Sequence, residues 1–400
     1  MISGIGCATS LGSTRDAFTQ GLLAGRAGIR PITEFDVTGL RATHAARVRD
    51  FDPTIYLPPL KLRRIDPVAR LAIGASRDAL DHAGLPHRAE GYDDIGVVLG
   101  SYTAGVHATG EYLASFMKGG PTGAPALLFS STVGNAPASQ CGLEYGLRGP
   151  NTTLMHKEAS GLSAIAFATH LIRRRKAGAV VAGGADEIDV HFYRAHDWFG
   201  VLAPADLPTA PFDALRNGFV MGEGGFLLVL EADSRRLARG GPCLGELLGT
   251  GTASASLPIN AWPTDERALV RTMQLALEDA GLAPEAIDAV YASANGTVPL
   301  DRCEARALRA VFGDRPVPVT SIKGAIGEFA AVGAASLAAA VLCGQAGRLP
   351  PIANLRTLAD DCPVAAVRES TALAGSVVMV NSFGSGGTNY SVIIRVGAAA

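Results

Sequence analysis

Short apolar runs alternate with amphipathic helical patterns along the whole chain of 400 residues. Continuous apolar segments bounded by glycine predict buried strands at 93–101, 177–188 and 225–232. Segments 66–85 and 266–282 place apolar residues at helical spacing and end in the similar tetrapeptides HAGL and DAGL, which predict glycine stops. This order of elements predicts an α/β fold in which helices cover the sheets.

The second half of the chain repeats the pattern of the first. A strand with its loop at 287–297 follows a helix in the same order as in the first half, and 375–395 is typical of a hairpin with a glycine-rich turn. We therefore predict an internal duplication, with an N-terminal half at 1–235 and a C-terminal half at 236–400 that pack as one body.

Composition argues against several classes of function. Hydrophobic residues make up 48% of the chain and charged residues only 18%, so the chain can bury a large core. A net charge of −2 gives no electrostatic reason to expect nucleic acid or an anionic membrane as a partner. The apolar segment 329–344 is too short to span a bilayer, and the first residues lack the pattern of an export signal.

Cysteine and glycine usage argue against bound metals and cofactors. The six cysteines are scattered, with no CxxC or Cys/His cluster, so we expect no disulfide framework, no metal site and a reducing cytoplasmic location. Tight turns explain the glycines of GGADE and FGSGGTN, so no nucleotide or other cofactor is expected there.

Several long motifs resemble those of β-ketoacyl synthases, and the resemblance runs from one end of the chain to the other. The similar segments are the opening SGIGCATSLGSTRDAFTQGLLAGRAGI, a dimer-interface segment at 115–151, the block PFDALRNGFVMGEGGFLLVLE at 211–231, and the C-terminal motifs SIKGAIGEFAAVGA and NSFGSGGTN. The resemblance implies the thiolase-like fold, with two βαβαβ halves in a layered α-β-α-β-α arrangement.

The same resemblance implies that three catalytic positions are replaced. The family uses a cysteine thiolate at a helix N-terminus and two histidines that polarise a thioester carbonyl. Here Glu158 stands at the cysteine position, Asn295 at the first histidine and Glu328 at the second. All eight histidines lie at or before His196, so the C-terminal half has none to supply. Ser385 replaces the gate-like aromatic residue of the last motif.

These replacements argue against condensation by this chain alone. A carboxylate is a poor nucleophile toward thioesters, and the mixed anhydride that it would form hydrolyses easily. Asn295 can donate a hydrogen bond, whereas ionised Glu328 only accepts and would repel a developing enolate. Lys323 is retained, and so is Glu304, where the family has an acidic residue that can pair with this lysine. Because unpaired buried carboxylates are costly or protonated, we expect an ion-paired polar plug formed by Glu158, Glu328, Lys323 and Glu304.

A ketosynthase-like chain without the cysteine resembles the chain-length factor of type II polyketide systems, although that subunit commonly carries glutamine at the cysteine position. The resemblance implies a heterodimer with a catalytic ketosynthase homologue. It also implies contact with an acyl carrier protein that bears the phosphopantetheine-bound chain. The subunit would shape the polyketide or polyene tunnel during decarboxylative extension, and the candidate tunnel residues at the dimer seam are His107, Thr109, Leu113 and Phe116.

Alternatives remain open for the sites and for the function. Glu158 is either an inert plug or an acid–base group. The basic turn with Lys61, Arg63 and Arg64 is either a solvated surface or a docking site for the acidic carrier protein. Besides the non-condensing subunit, the chain could be an acyl-carrier decarboxylase, hydrolase or other acyltransferase that uses Glu158, Asn295 and Glu328. It could also be a homodimer that only binds an acyl group or carrier protein.

Overall fold

The computed structural model describes residues 1–205 and 210–398. Its strands are β1 Ile2–Ala8, β2 Arg30–Pro31, β3 His44–Ala45, β4 Ile95–Gly100, β5 Asn151–Leu154, β6 Ala179–Asp186, β7 Gly224–Glu231, β8 Gly245–Ser254, β9 Ala289–Tyr291, β10 Pro318–Thr320, β11 Arg348–Leu349, β12 Ala365–Ala366, β13 Thr371–Ala372, β14 Val377–Phe383 and β15 Thr388–Val396.

The helices are α1 Arg15–Leu23, α2 Pro59–Leu62, α3 Pro67–His82, α4 Val106–Gly123, α5 Ala126–Phe129, α6 Ala136–Tyr145, α7 Ser160–Arg173, α8 Val190–Trp198, α9 Asp233–Ala238, α10 Arg267–Ala280, α11 Val298–Phe312, α12 Lys323–Ile326 and α13 Val332–Gln345. Single 3₁₀ turns occur at Pro53–Ile55, Lys157–Ala159 and Pro284–Ala286. No helix within residues 1–205 and 210–398 is long and apolar enough to cross a membrane.

An eleven-stranded sheet contains the same strand order twice. The first half contributes β5-β4-β6-β7-β1 and the second half β10-β9-β14-β15-β8. In each set the first three strands are parallel and the last two join by antiparallel pairing. One pairing, between Ile2 and Gly245, connects the two sets. The duplication expected from the sequence is therefore confirmed in the sheet, and we propose the division of the halves at 235/236, within α9.

Three hydrophobic clusters define the layers. The largest packs α7 and α13 between the inner faces of both halves of the sheet. Helices α3 and α6 cover the outer face of the first half, and α10 and α11 cover that of the second. Close approach in the middle layer requires small residues: a Cβ at Gly161 would lie 2.9 Å from the Ala331 carbonyl oxygen. The expected α-β-α-β-α arrangement is confirmed.

Segment 287–297 contains the predicted strand and loop, and the strand is the short β9. It ends at Tyr291, after which the chain turns toward α11. The buried Asp301 carboxylate accepts hydrogen bonds from the backbone N–H groups of Asn295 and Gly296, so these residues are held in a loop beside the helix rather than in the sheet. This loop carries Asn295, one of the three residues that the motif resemblance places at catalytic positions.

Candidate functional site

Glu158 lies at the entrance to the central helix α7. It follows β5 within the turn Lys157–Ala159, where Lys157 adopts the left-handed backbone conformation with φ 52°. The Glu158 carboxylate accepts hydrogen bonds from the Ser385 backbone N–H at 2.9 Å and from the Ser385 hydroxyl at 3.0 Å. The N-terminus of a helix also favours a negative charge. Glu158, which the motif resemblance places at the cysteine position, is thus a buried and hydrogen-bonded carboxylate.

Lys323, Glu328 and Asn295 form a second buried group. The Lys323 Nζ atom lies 2.7 Å from Glu328 Oε2, which also accepts a hydrogen bond of 2.8 Å from the Asn295 side-chain amide. Lys323 donates further to the Ser293 carbonyl oxygen at 2.6 Å. Because Lys323 is only 4% exposed and Glu328 only 2%, the ion pair is shielded from water.

The two glutamates of the candidate site, Glu158 and Glu328, lie beside the same cavity. Glu158 and Glu328 line a space of ≈ 350 Å³ together with Tyr102, His196 and Phe329. Burial raises the pKa of Glu328 to about 7, the Lys323 charge opposes this shift, and the Glu158 charge reinforces it. A developing enolate in this cavity would face two carboxylates and no cysteine, since no cysteine lines it.

Glu304 lies apart from the ion pair that the sequence led us to expect. Its carboxylate accepts hydrogen bonds from the backbone N–H groups of Ser293 at 2.9 Å and Ala294 at 2.6 Å, and from the Asn381 amide at 3.0 Å. Burial raises the pKa of Glu304 to about 7, and the Lys323 charge opposes this from a distance. Glu304 therefore holds the loop that follows β9, while Lys323 pairs with Glu328.

A second cavity of ≈ 390 Å³ also borders Glu158. Lys157, Asn260 and Trp262 line it, and the Lys157 ammonium group donates a hydrogen bond to the Asn260 side-chain oxygen. The same ammonium group lies 5.8 Å from the centroid of the Tyr102 ring, within the range of a cation–π contact. Lys157 thus contacts both Asn260 and Tyr102 in the space next to Glu158. The sequence did not indicate this role, because Asn260 is distant in the chain.

His196 is a cavity residue that the motif comparison did not identify. It lies on α8 and lines both cavities. Its Nδ1 atom lies 2.9 Å from the Phe192 carbonyl oxygen, a contact that requires Nδ1 to carry the proton and leaves Nε2 as an acceptor in the neutral ring. Burial lowers its pKa, which favours the neutral form.

The four candidate tunnel residues lie on α4, and none of them lines either cavity. His107 and Thr109 are half-buried in the first turns of the helix, and the Thr109 hydroxyl donates to the Thr132 carbonyl oxygen at 3.4 Å. Leu113 and Phe116 are 49% and 41% exposed. These residues belong to the surface of the lone chain.

The candidate docking residues are also at the surface. Lys61 lies in α2, and its ammonium group is 2.8 Å from the carboxylate of Glu144 on α6. Arg63 and Arg64 follow α2 and are exposed.

Glu187 adds a titratable group to the first cavity. Its Oε1 atom is buried without a hydrogen-bond partner in the described residues, and burial raises its pKa from 4.5 to about 8. Since the folded protein holds this proton more tightly than the unfolded chain, the stability due to this group is complete below about pH 4.5. It is lost as the pH rises to about 8.

We therefore expect Glu187→Gln to reduce the fall in Tm between about pH 5 and about pH 8.5, because the amide cannot ionise. Thermal unfolding followed by circular dichroism measures this. Glu90→Gln, at a carboxylate that is 70% exposed, serves as the control and should leave the pH profile unchanged. Identical profiles for wild type and Glu187→Gln would refute the role of Glu187.

Together, the fold and the site define a ketosynthase-like protein of the thiolase-like fold in which Glu158, Asn295 and Glu328 are buried around the N-terminus of the central helix. The chain belongs to the β-ketoacyl synthase family. The description "Beta-ketoacyl synthase, N-terminal domain" matches residues 1–235, and "Beta-ketoacyl synthase, C-terminal domain" matches residues 244–356.

Individual relatives are similar over nearly the whole length. The chain is 30% identical to the 3-oxoacyl-[acyl-carrier-protein] synthase 2 of Synechocystis over 99% of this chain and 97% of the relative. It is also 30% identical to the tetracenomycin polyketide synthase ketoacyl synthase beta subunit of Streptomyces glaucescens, over 99% and 98% of the two chains. A solved structure, the ishigamide ketosynthase/chain length factor, superposes with a TM-score of 0.93 at 29% identity, covering 99% and 98%.

Proposed function

We propose that this chain is the non-condensing subunit of a ketosynthase heterodimer and acts as a chain-length factor. The arrangement that carries the proposal is a pair of buried carboxylates: Glu158, which we assign to the nucleophile position, is bonded to Ser385, and Glu328, which we assign to the second histidine position, is paired with Lys323. Neither group can form a stable acyl thioester. Similarity to a polyketide ketoacyl synthase beta subunit and to a ketosynthase/chain length factor supports the same role.

The surface supports an obligate partner. Strand β5 lies at the edge of the sheet, and an unpaired edge is a template for pairing with another chain. Large apolar side chains are exposed on the neighbouring elements: Leu113, Phe116, Met117, Leu127, Phe129, Val133, Leu143 and Met155. An exposed apolar surface of this kind favours association with another subunit over the monomeric state. The proposed partner is a homologue that retains the cysteine and both histidines.

The growing chain would start at the partner's cysteine and extend into the seam, where His107, Thr109, Leu113 and Phe116 limit its length. An acyl carrier protein would deliver the extender units. Arg63 and Arg64 are exposed beside α2, and the charge of an acidic carrier protein complements them. Lys61 is partly engaged by Glu144, so we propose the two arginines as the stronger part of this docking surface.

A second candidate function is an acyl-transferring or decarboxylating enzyme with changed chemistry. The observation that favours it is His196, whose Nε2 can accept a proton in a cavity that also contains Glu158 and Glu328. A homodimer that only binds an acyl group or carrier protein is compatible with the same exposed surface.

Co-expression tests the proposed assembly. We expect a tagged copy of this chain to purify as a one-to-one complex with a co-expressed ketosynthase homologue that retains the cysteine, and to aggregate when expressed alone. A monodisperse homodimer that binds none of the co-expressed ketosynthases would instead support the enzyme with changed chemistry or the binding homodimer. Mass measurement of the intact complex separates these outcomes.

Restoring the nucleophile alone is not expected to restore condensation. Glu158→Cys leaves Asn295 and the Lys323-paired Glu328 at the histidine positions, so the enolate remains unsupported. We expect purified Glu158→Cys to consume no more malonyl-carrier substrate than the wild type, measured by mass spectrometry of the carrier protein. Formation of a β-ketoacyl product by this variant without a partner would contradict the assignment.

A further inference from the structure

His107 and Asp189 form a polar pair where α4 begins. The His107 Nδ1 atom lies 3.5 Å from Asp189 Oδ2. The other oxygen, Oδ1, caps α8 by accepting hydrogen bonds from the backbone N–H groups of His191 at 2.8 Å and Phe192 at 3.2 Å. Asp189 is therefore fixed in position, and its second oxygen faces the imidazole ring.

The surroundings of the pair favour a charged imidazolium ring. The contact with Asp189 raises the pKa of His107 to about 9, and Glu187 and Asp66 add to the shift. Asp66 and Glu187 are 8% and 6% exposed, and each has one carboxylate oxygen without a hydrogen-bond partner in the described ranges. With Nδ1 directed to Asp189, the Nε2–H group is the donor that remains on the ring.

The partly exposed His107 lies on the same helix as an apolar surface. The His107 side chain is 42% exposed, and no protein group within 1–205 or 210–398 forms a hydrogen bond with Nε2. Further along α4, Leu113 and Phe116 expose only hydrocarbon. The Thr109 hydroxyl already donates to the Thr132 carbonyl oxygen. Among the four proposed tunnel residues, His107 therefore supplies the available hydrogen-bond donor.

On the basis of the proposed function, we propose that His107, positioned by Asp189, recognises the distal end of the acyl chain, and that this end carries an acceptor oxygen such as a ketone or carboxylate. A cationic N–H group that loses water when two subunits associate must regain an acceptor. A methyl end cannot provide one, whereas a terminal oxygen can. Discrimination against a chain that leaves a buried polar group unpaired exceeds what volume differences alone achieve.

The test uses the complex of this chain with its catalytic partner. The partner's cysteine is loaded with one of three matched chains: octanoyl, its analogue with a ketone on the penultimate carbon, and its analogue ending in a carboxylate. Single-turnover extension is then followed by mass spectrometry. We expect the wild-type complex to extend at least one of the oxygenated chains with a single-turnover rate constant at least about tenfold above that of octanoyl. Preference for the ketone or for the carboxylate identifies the terminal group.

Variants separate recognition from packing. His107→Leu should abolish the preference by raising the rate with octanoyl and lowering it with the oxygenated chain, whereas His107→Gln, which keeps a neutral donor, should retain part of it. Asp189→Asn still caps α8 but removes the charge beside the ring. Without this charge the pKa of His107 is lower than in the wild type. The preference of the Asp189→Asn complex for the oxygenated chain should therefore weaken as the pH rises through that lower pKa. His87→Leu, at an exposed histidine, is the control for loss of an imidazole.

The outcomes distinguish this inference from the function on which it rests. A complex that assembles and whose product length responds to Thr109→Trp, but that extends all three chains equally, would overturn the role of His107 and leave the chain-length role intact. An unchanged preference in His107→Leu would do the same. Failure to form any complex, or product lengths that no bulky replacement changes, would remove the proposed function and this inference with it.

Discussion

Replacing Lys323 by methionine is expected to lower the free energy of unfolding by about 3–5 kcal/mol, the cost of leaving a buried charge without its partner. The Lys323 ammonium lies 2.7 Å from Glu328 and 2.6 Å from the Ser293 carbonyl oxygen, and all three groups are buried. Methionine has a similar length but no charge and no N–H donors. A lower Tm and denaturation midpoint measure the effect.

Two variants serve as controls for this prediction. Lys61→Met makes the same substitution at an ion pair whose lysine side chain is 54% exposed, so its effect should stay below about 1 kcal/mol. Lys323→Met combined with Glu328→Gln removes both charges and should recover part of the loss. If Lys323→Met and Lys61→Met unfolded with the same small change, the buried pair would not be the structural centre of the site.

Thr109→Trp is expected to shift the products of the complex toward shorter chains without slowing the first condensation. Thr109 is half-buried in the first turns of α4, beside His107 and on the helix that carries the exposed Leu113 and Phe116. An indole ring at this point would fill space that the distal part of a long chain needs, whereas the first extension takes place near the partner's cysteine. Product analysis by mass spectrometry of the co-expressed complex measures the length distribution.

The control is Glu111→Trp, two residues further along α4 at an exposed position on a different side of the helix, where the added volume should leave product length unchanged. Bulky replacements at His107, Leu113 and Phe116 extend the test to the other candidates. Unchanged product lengths for bulky replacements at all four positions would exclude a chain-length role for this surface.

Much of the fold could be predicted because its signals are local. Glycine-bounded apolar runs predicted β4, β6 and β7, and the repeated helix pattern predicted α3 and α10 within a few residues. A strand with its loop was also predicted at 287–297, but the sequence did not indicate that Asp301, on the following helix, holds this loop by binding the backbone of Asn295 and Gly296. A contact of this kind depends on tertiary packing, which periodicity does not contain.

In the site, too, residue positions could be predicted from local motifs, whereas contacts between distant residues could not. Motif position alone predicted Glu158, Asn295 and Glu328 as residues of the site. It did not identify Ser385 as the hydrogen-bond donor to Glu158, although both are motif positions, because they are 227 residues apart and meet only in the folded chain. Lys323 was expected to have acidic partners, but only the structure separates Glu328, which contacts it, from Glu304, which binds backbone N–H groups instead.

The most direct test of the central claim is to inactivate each subunit of the proposed heterodimer in turn and measure condensation by the complex. Glu158→Gln in this chain preserves an acceptor for Ser385 and should leave product formation intact, whereas replacing the partner's nucleophilic cysteine by alanine should abolish it. Product formation that depends on Glu158 and persists without the partner's cysteine would contradict the assignment of this chain as a non-condensing subunit.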